Sequence, residues 1–164
     1  MALPGLAIVR ASWASNVVFA ATAAPAALGV DGSEPIAVGT ALALFAVSLV
    51  VWAWAFLVAV ARSSQGDDIA VGNLFLFEGD PPRAVRYHLF GSVGVSLVIT
   101  ALTAQADPFG VLVPMLPVGF VGLWGARHGV FPRRRDLAVS DRPLRPRRPS
   151  ERSARRRSDG RAGK

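Results

Sequence analysis

The longest apolar segment of this sequence constrains its fold more than any other feature. Residues 36–61 form an uninterrupted run of twenty-six residues without a charged side chain. Because an α-helix rises about 1.5 Å per residue, this run is longer than the roughly 30 Å hydrocarbon core of a bilayer. The segment therefore predicts a transmembrane helix that is tilted in the membrane.

Three further segments have the composition of membrane spans. Residues 89–104 are uncharged, and residues 110–126 are rich in Gly, Val, Leu and Pro. Residues 11–30 are the weakest of the four spans, because Asn16 and Pro25 interrupt a stretch of mostly Ala and Val. Together the four segments predict an all-α membrane protein with a four-helix transmembrane bundle.

The first of these segments has a second interpretation. Arg10, the apolar residues 17–24 and the small residues around Pro25 resemble the charged, apolar and cleavage regions of a secretory signal peptide. Both interpretations place Asp31 and Glu34 outside the cytoplasm. The topology of the other spans therefore does not depend on which one is correct.

The basic residues are distributed very unevenly along the chain. Residues 127–164 hold fourteen of the eighteen Lys and Arg and have a net charge of +10, whereas residues 1–126 have a net charge of −3. Short cytoplasmic loops carry an excess of Lys and Arg. The charge pattern therefore predicts a membrane protein with both termini in the cytoplasm. Residues 31–35 and 105–108 then lie outside, and residues 62–88 lie inside.

The bundle is predicted to span residues 1–132, followed by a basic C-terminal tail of residues 133–164. The tail consists mainly of Arg, Pro and Ser, so it has too few apolar residues to offset the entropy of ordering and is predicted to be disordered. It either only fixes the topology, or it contacts anionic lipid headgroups or a partner. Nucleic acid is disfavoured because no aromatic residues alternate with the arginines. The candidate contact residues are Arg133, Arg134, Arg135, Arg147, Arg148, Arg155, Arg156 and Arg157.

Small residues and prolines are the candidates for shaping the bundle. The hydrophobic effect contributes little between helices in lipid, so close approach at small side chains matters more. Pro114 and Pro117 fall inside the fourth span and predict a kink or a broken helix. The glycines expected at helix contacts, within the chain or in a homo-oligomer, are Gly91, Gly94, Gly119, Gly122, Gly125 and Gly129.

Few residues of the sequence suggest catalysis or the binding of a cofactor. The sequence has no Cys, only two His, and no nucleotide-binding, zinc-protease or hydrolase motif. His88, His128, Asp67 and Asp68 would share the cytoplasmic side, but nothing in the sequence brings them together for acid–base catalysis. None of the four predicted spans contains an ionisable residue, which argues against an ion-coupled carrier. We expect no enzymatic activity and no cofactor.

Two segments of the sequence resemble segments of known proteins. One is the loop with the apolar run Leu74-Phe75-Leu76-Phe77 and the Pro81-Pro82 break, and the other is Gly-Leu-Trp-Gly-Ala-Arg-His-Gly-Val-Phe-Pro-Arg over residues 122–133. Across residues 36–135 the chain resembles small, uncharacterised integral membrane proteins of high-GC actinobacteria. The resemblance implies a membrane location in such a bacterium and transfers no functional residue.

Two functions are compatible with these features. The first is a non-enzymatic accessory or scaffold component of the membrane, in a homo-oligomer or a larger membrane complex, with its basic tail on anionic lipid or a partner. The second is a small transporter or channel subunit, in which the Pro-containing fourth span exposes backbone carbonyls and helix ends. The sequence leaves the substrate and the partner open.

Overall fold

The computed structural model describes residues 5–67, 69, 75 and 82–131. Over these residues the chain is helical, with four α-helices and one short 3₁₀ helix. They are α1 (Leu6–Ala27), α2 (Glu34–Ser64), α3 (Arg83–Thr103), the 3₁₀ helix η1 (Pro108–Leu112) and α4 (Met115–His128). The prediction of an all-helical fold is confirmed.

Four helical segments in the described part of the chain are long and apolar enough to cross a membrane: Leu6–Ala27, Glu34–Ser64, Arg83–Thr103 and Pro108–His128. Their number and order agree with the four predicted spans. α1 and α3 begin before those spans, so Arg10 lies within α1 and Arg83, Arg86 and His88 lie within α3. The expectation of uncharged spans therefore holds for the apolar segments but not for the whole helices.

Local sequence explains where α1 ends and where α2 begins. α1 ends in a turn in which Gly29 has a φ of +73°, and the backbone N–H of Val30 donates to the carbonyl of Pro25. A left-handed glycine is a common way to end a helix. α2 then begins with Glu34 and Pro35, which suit the first turn because a carboxylate complements the helix dipole and proline needs no hydrogen-bond acceptor there.

The helices alternate in direction, so the bundle has two chemically different ends. At one end, Gly5 before α1 lies against the Trp124 indole of α4, and Arg62 at the end of α2 reaches the last carbonyls of α4. We call this the basic end, because the described arginines all belong to it: Arg10, Arg62, Arg83, Arg86 and Arg127. We call the opposite end, which carries Asp31, Glu34 and Asp107, the acidic end.

The four helices are not equally buried. In the fourth span 72% of the most apolar window is buried, against 11% in α2. The buried positions of α2 are all small, namely Ala37, Ala41, Ser48, Ala55 and Ala59. Many of its large side chains are exposed, namely Ile36, Leu42, Val47, Leu49, Val50, Trp54, Phe56, Leu57 and Val60. α4 is therefore the central helix, and α2 is peripheral.

The fourth span is broken rather than continuous. η1 ends at Leu112, Pro114 occupies the N-cap of α4, and the amide of Leu116 donates to the carbonyl of Val113 over 2.9 Å. The break predicted for this span therefore lies at Pro114. Pro117 lies in the first turn of α4, where a missing backbone N–H needs no partner, so it does not bend the helix further.

The chain separates into two units, Met1–Phe131 and Pro132–Lys164. The second unit lies outside the described residues. It contains all the arginines that the sequence proposes for lipid or partner contact: Arg133, Arg134, Arg135, Arg147, Arg148, Arg155, Arg156 and Arg157.

Candidate functional site

Two of the predicted packing glycines of α4 lie against aromatic side chains. A Cβ on residue 119 would lie 3.0 Å from Cδ1 of Trp52, and one on residue 122 would lie 3.5 Å from the ring of Phe75. The Trp52 indole N–H donates to the carbonyl of Met115 over 3.0 Å. Gly119 therefore provides the room that lets a large aromatic side chain of α2 lie on the backbone of α4.

The other predicted packing glycines play different parts. Gly91 lies beside Trp13, 3.8 Å from a built Cβ, whereas a Cβ on Gly94 would meet nothing within 4 Å. Gly125 accepts a hydrogen bond from the Gly129 amide over 2.8 Å, which closes the end of α4. The Gly125–Gly129 spacing is thus a helix-ending turn. Gly94 lies on the exposed face of α3 and makes no such contact among the described residues, so its expected helix contact stays a prediction for a homo-oligomer.

Arg62 joins the ends of α2 and α4 at the basic end. Its guanidinium donates to the carbonyls of Ala126 and Gly129, both over 3.0 Å, and its Nε donates to Asp67 over 3.0 Å. It also lies 4.6 Å from the centroid of the Phe131 ring. A cation at a helix C-terminus satisfies free carbonyls and complements the dipole. Arg62 therefore fixes the point at which the chain enters its C-terminal segment.

The acid–base residues considered from the sequence do not converge. Asp67 is paired with Arg62, and His128 stacks on Trp124 with 5.4 Å between ring centroids. His88 is exposed on α3. Asp68 lies outside the described residues. Among the residues that the structure describes, no group of three or more His, Asp and Glu could hold a metal ion.

Buried polar side chains occur on α1 and along one face of α3, and three of them join the two helices. The members on α1 are Ser12, Ser15 and Asn16, and those on α3 are Ser92, Ser96, Thr100 and Thr103; we call this set the polar seam. The Ser12 and Ser92 hydroxyls share a hydrogen bond, and the Asn16 amide donates to the Ser92 carbonyl over 2.7 Å. These bonds connect α1 and α3 directly.

The polar seam is only partly satisfied. The Ser96 hydroxyl and the carbonyl oxygen of the Asn16 side chain are buried, and neither has a hydrogen-bond partner among the described residues. Ser92, one turn from Ser96, bonds both to Ser12 and to the carbonyl of Leu89. A buried polar atom without a partner is unfavourable, so such atoms indicate a possible binding function.

A further buried polar side chain, that of Asp107, lies at the acidic end of the bundle. The sequence places Asp107 in an outside loop, but in the structure its side chain has no solvent exposure. Neither carboxylate oxygen has a hydrogen-bond partner in the described part of the chain. The residue lies between the end of α3 and the start of η1, beside Gly110 and Phe19.

Sequence reasoning missed the polar seam and Asp107, although one signal was available. Ser92, Ser96, Thr100 and Thr103 recur at intervals of four, four and three residues, which places them on one face of a helix. In an otherwise apolar span that spacing indicates a polar helix face. The burial of Asp107 has no comparable signal, because it depends on how the turn after α3 packs.

Comparison with known proteins does not place this chain in a family. No family model, no curated protein and no solved structure matches it. The resemblance to small actinobacterial membrane proteins stays a prediction.

Proposed function

We propose that this chain is an integral protein of a bacterial cytoplasmic membrane with a non-enzymatic accessory or scaffold role. The single observation that carries the proposal is the outward face of α2. Trp54, Phe56 and Leu57 are each more than half exposed, on a helix of thirty-one residues. An exposed apolar surface of this length is strongly disfavoured in water and is suited to lipid tails or a partner helix.

The distribution of charge between the two ends of the bundle supports one orientation in the membrane. The basic end carries Arg10, Arg62 and Arg127, and the acidic end carries Asp31 and Glu34. Because basic residues are retained in the cytoplasm, the basic end would face the cytoplasm, and both termini would lie on that side. This orientation also places the arginine-rich tail next to the anionic inner leaflet.

The tail would act as an electrostatic contact to lipid or to an acidic partner. Each basic residue near an anionic surface contributes about 1 kcal/mol. We expect a peptide of residues 131–164 to bind anionic vesicles and not neutral ones, with affinity that falls as salt shortens the Debye length below about 10 Å. Salt-insensitive binding, or equal affinity for neutral vesicles, would contradict the lipid contact.

The scaffold role is tested by purification in mild detergent from the native host, followed by mass spectrometry. We expect a membrane partner in stoichiometric amount, and its recovery should fall when Phe56 and Leu57 on α2 are changed to Ala. The matched control is Leu102→Ala, which truncates a side chain that is 77% exposed on α3. A chain recovered alone as a monomer, or equal losses from both variants, would contradict the proposal.

A second candidate is a small transporter or channel subunit. The specific observation in its favour is the broken fourth span, whose short 3₁₀ helix lies next to the buried Asp107. In transporters, broken helices and their ends bind ions or substrate. If the break forms such a site, replacing Pro114 and Pro117 by Ala should abolish the flux of the transported ion or substrate into proteoliposomes. Unchanged flux, with the fold preserved, would leave the prolines a packing role only.

A further inference from the structure

Asp107 has an environment that does not balance its charge. Its side chain is completely buried, and among the described residues neither carboxylate oxygen accepts a hydrogen bond. Asp107 also stands at the N-cap of η1, yet its side chain makes no capping bond there. Transfer of an ionised carboxylate from water to an apolar interior is very unfavourable unless another group compensates for it.

The two hydroxyls in the last turn of α3 do not donate to Asp107. The Thr100 hydroxyl donates to the carbonyl of Gly110 over 3.1 Å, and the Thr103 hydroxyl donates to the carbonyl of Ile99 over 3.0 Å. A hydroxyl has one proton, so both oxygens remain available as acceptors. The last turn of α3, which Asp107 follows, therefore carries oxygen lone pairs and no free hydroxyl donor.

The helix geometry adds to this negative character. Asp107 follows the C-terminus of α3, and its own amide donates to the Thr103 carbonyl over 2.8 Å. The C-terminal end of a helix carries a partial negative charge. A carboxylate at this position is further disfavoured, whereas a cation there would be favoured by both the helix end and the carboxylate.

Gly110 leaves space beside the carboxylate. A Cβ on this residue would lie 3.4 Å from Oδ2 of Asp107 and 3.0 Å from Cζ of Phe19. The Phe19 ring is completely buried and closes the site from the side of α1. The space next to Oδ2 is therefore small and apolar on one side.

We propose that Asp107 and the oxygen atoms at the C-terminal end of α3 bind a small monovalent cation, for which Na⁺ is the probe. A single carboxylate balances one positive charge. Calcium sites use several carboxylates, and the described residues offer no group of three or more acids or histidines. Helix C-terminal ends next to broken helices are known to coordinate Na⁺ in membrane proteins. The inference is independent of the scaffold role.

The test uses the full chain in neutral detergent at constant pH and ionic strength, with choline chloride replaced stepwise by NaCl. Unfolding is followed by fluorescence of the four Trp residues. We expect the melting temperature to rise saturably by several degrees as Na⁺ binds the folded state. Equilibrium dialysis with radioactive Na⁺ should show saturable binding over the same range of concentration.

Three variants make the test specific. Asp107→Asn should abolish both the Na⁺ response and the binding, while its melting temperature in choline is no lower than that of the parent, because an unbalanced charge has been removed. Gly110→Ala should weaken binding by filling the space beside Oδ2. Asp31→Asn, at an exposed acid of the same end, should leave the response unchanged.

Three results would overturn the assignment. The first is a parent protein whose stability does not distinguish Na⁺ from choline at any pH. The second is an Asp107→Asn variant that responds to Na⁺ as the parent does. The third is stabilisation by acidification alone, lost in Asp107→Asn and without any Na⁺ response. That outcome would identify the neutralising cation as a proton.

Discussion

The two main helix interfaces of this bundle use different chemistry. Between α2 and α4, small residues bring the backbones together, and Trp52 lies on Gly119. Between α1 and α3, the polar seam joins the helices through Ser12, Asn16 and Ser92, and some of its buried oxygens have no partner among the described residues. The first interface is tightly packed and satisfied, whereas the second is only partly satisfied.

This difference separates the contacts that stabilise the fold from the polar atoms that are available for binding. Burial of apolar surface contributes little between helices in lipid, so the α2–α4 interface depends on shape and on the bonds made by Trp52 and Arg62. The α1–α3 interface and Asp107 instead retain polar atoms that cost stability. We infer that α2 and α4 hold the fold together, and that the binding chemistry of the bundle lies at α1, α3 and Asp107.

The largest effect is expected at Gly119. A Cβ there would approach both Trp52 and Val51 within 3.2 Å, so Gly119→Leu should displace Trp52 and break its bond to Met115. We expect a loss of about 3 kcal/mol in the free energy of unfolding. The measurement is reversible unfolding in detergent. Gly94→Leu is the control, because it adds the same side chain to open space. Equal losses of unfolding free energy in the two variants would show that close packing at the α2–α4 contact does not explain the effect.

Arg62 should have the next largest effect. Arg62→Ala removes two hydrogen bonds to the end of α4, and we expect a cost of about 2 kcal/mol for these charge-assisted bonds. The Arg62–Asp67 pair is partly exposed, so Asp67→Asn should cost less than about 1 kcal/mol. Both variants are compared by the same unfolding measurement. An Asp67 variant as damaging as the Arg62 variant would mean that the ion pair, and not the carbonyl contacts, holds α2 to α4.

The smallest effect distinguishes two serines of the polar seam. Ser92 is hydrogen-bonded to Ser12, whereas the Ser96 hydroxyl has no partner among the described residues. Ser92→Ala should cost about 0.6 kcal/mol, typical of interhelical bonds in membranes. Ser96→Ala should be neutral or slightly stabilising, because it removes an unsatisfied hydroxyl. A marked loss for Ser96→Ala would indicate a partner for this hydroxyl and would remove the contrast between the two interfaces.

Much of the fold could be predicted from the sequence. The uncharged run of residues 36–61 is long enough to determine α2 by itself, and Pro114 breaks the fourth span because it lacks a backbone donor. The starts of α1 and α3 could not be predicted as well. A membrane helix continues into its polar flanks, so Arg10 and Arg83 are helical although they lie outside the apolar segments.

The candidate site could be predicted much less well. Gly119 and Gly122 pack within the chain, but Gly94 does not, because the choice depends on which face of each helix meets its neighbour. The sequence predicts Asp107 in a loop and gives no sign that its side chain is buried. In the structure that side chain lies buried in the turn between α3 and η1, where Gly110 lies close to both Asp107 and Phe19. No periodic pattern in the sequence encodes such a contact between residues that are far apart.

We propose that the basic end of this bundle faces the cytoplasm. The orientation can be measured by fusing two reporters to the chain, a phosphatase active only outside the cytoplasm and a fluorescent protein that folds only inside it. We expect fusions after Gly32 and Gln105 to show phosphatase activity, and fusions after Gly66 and Lys164 to fluoresce. Phosphatase activity of the fusion after Lys164 would contradict the orientation. Fluorescence of both the Gly32 and the Gln105 fusions would contradict it as well.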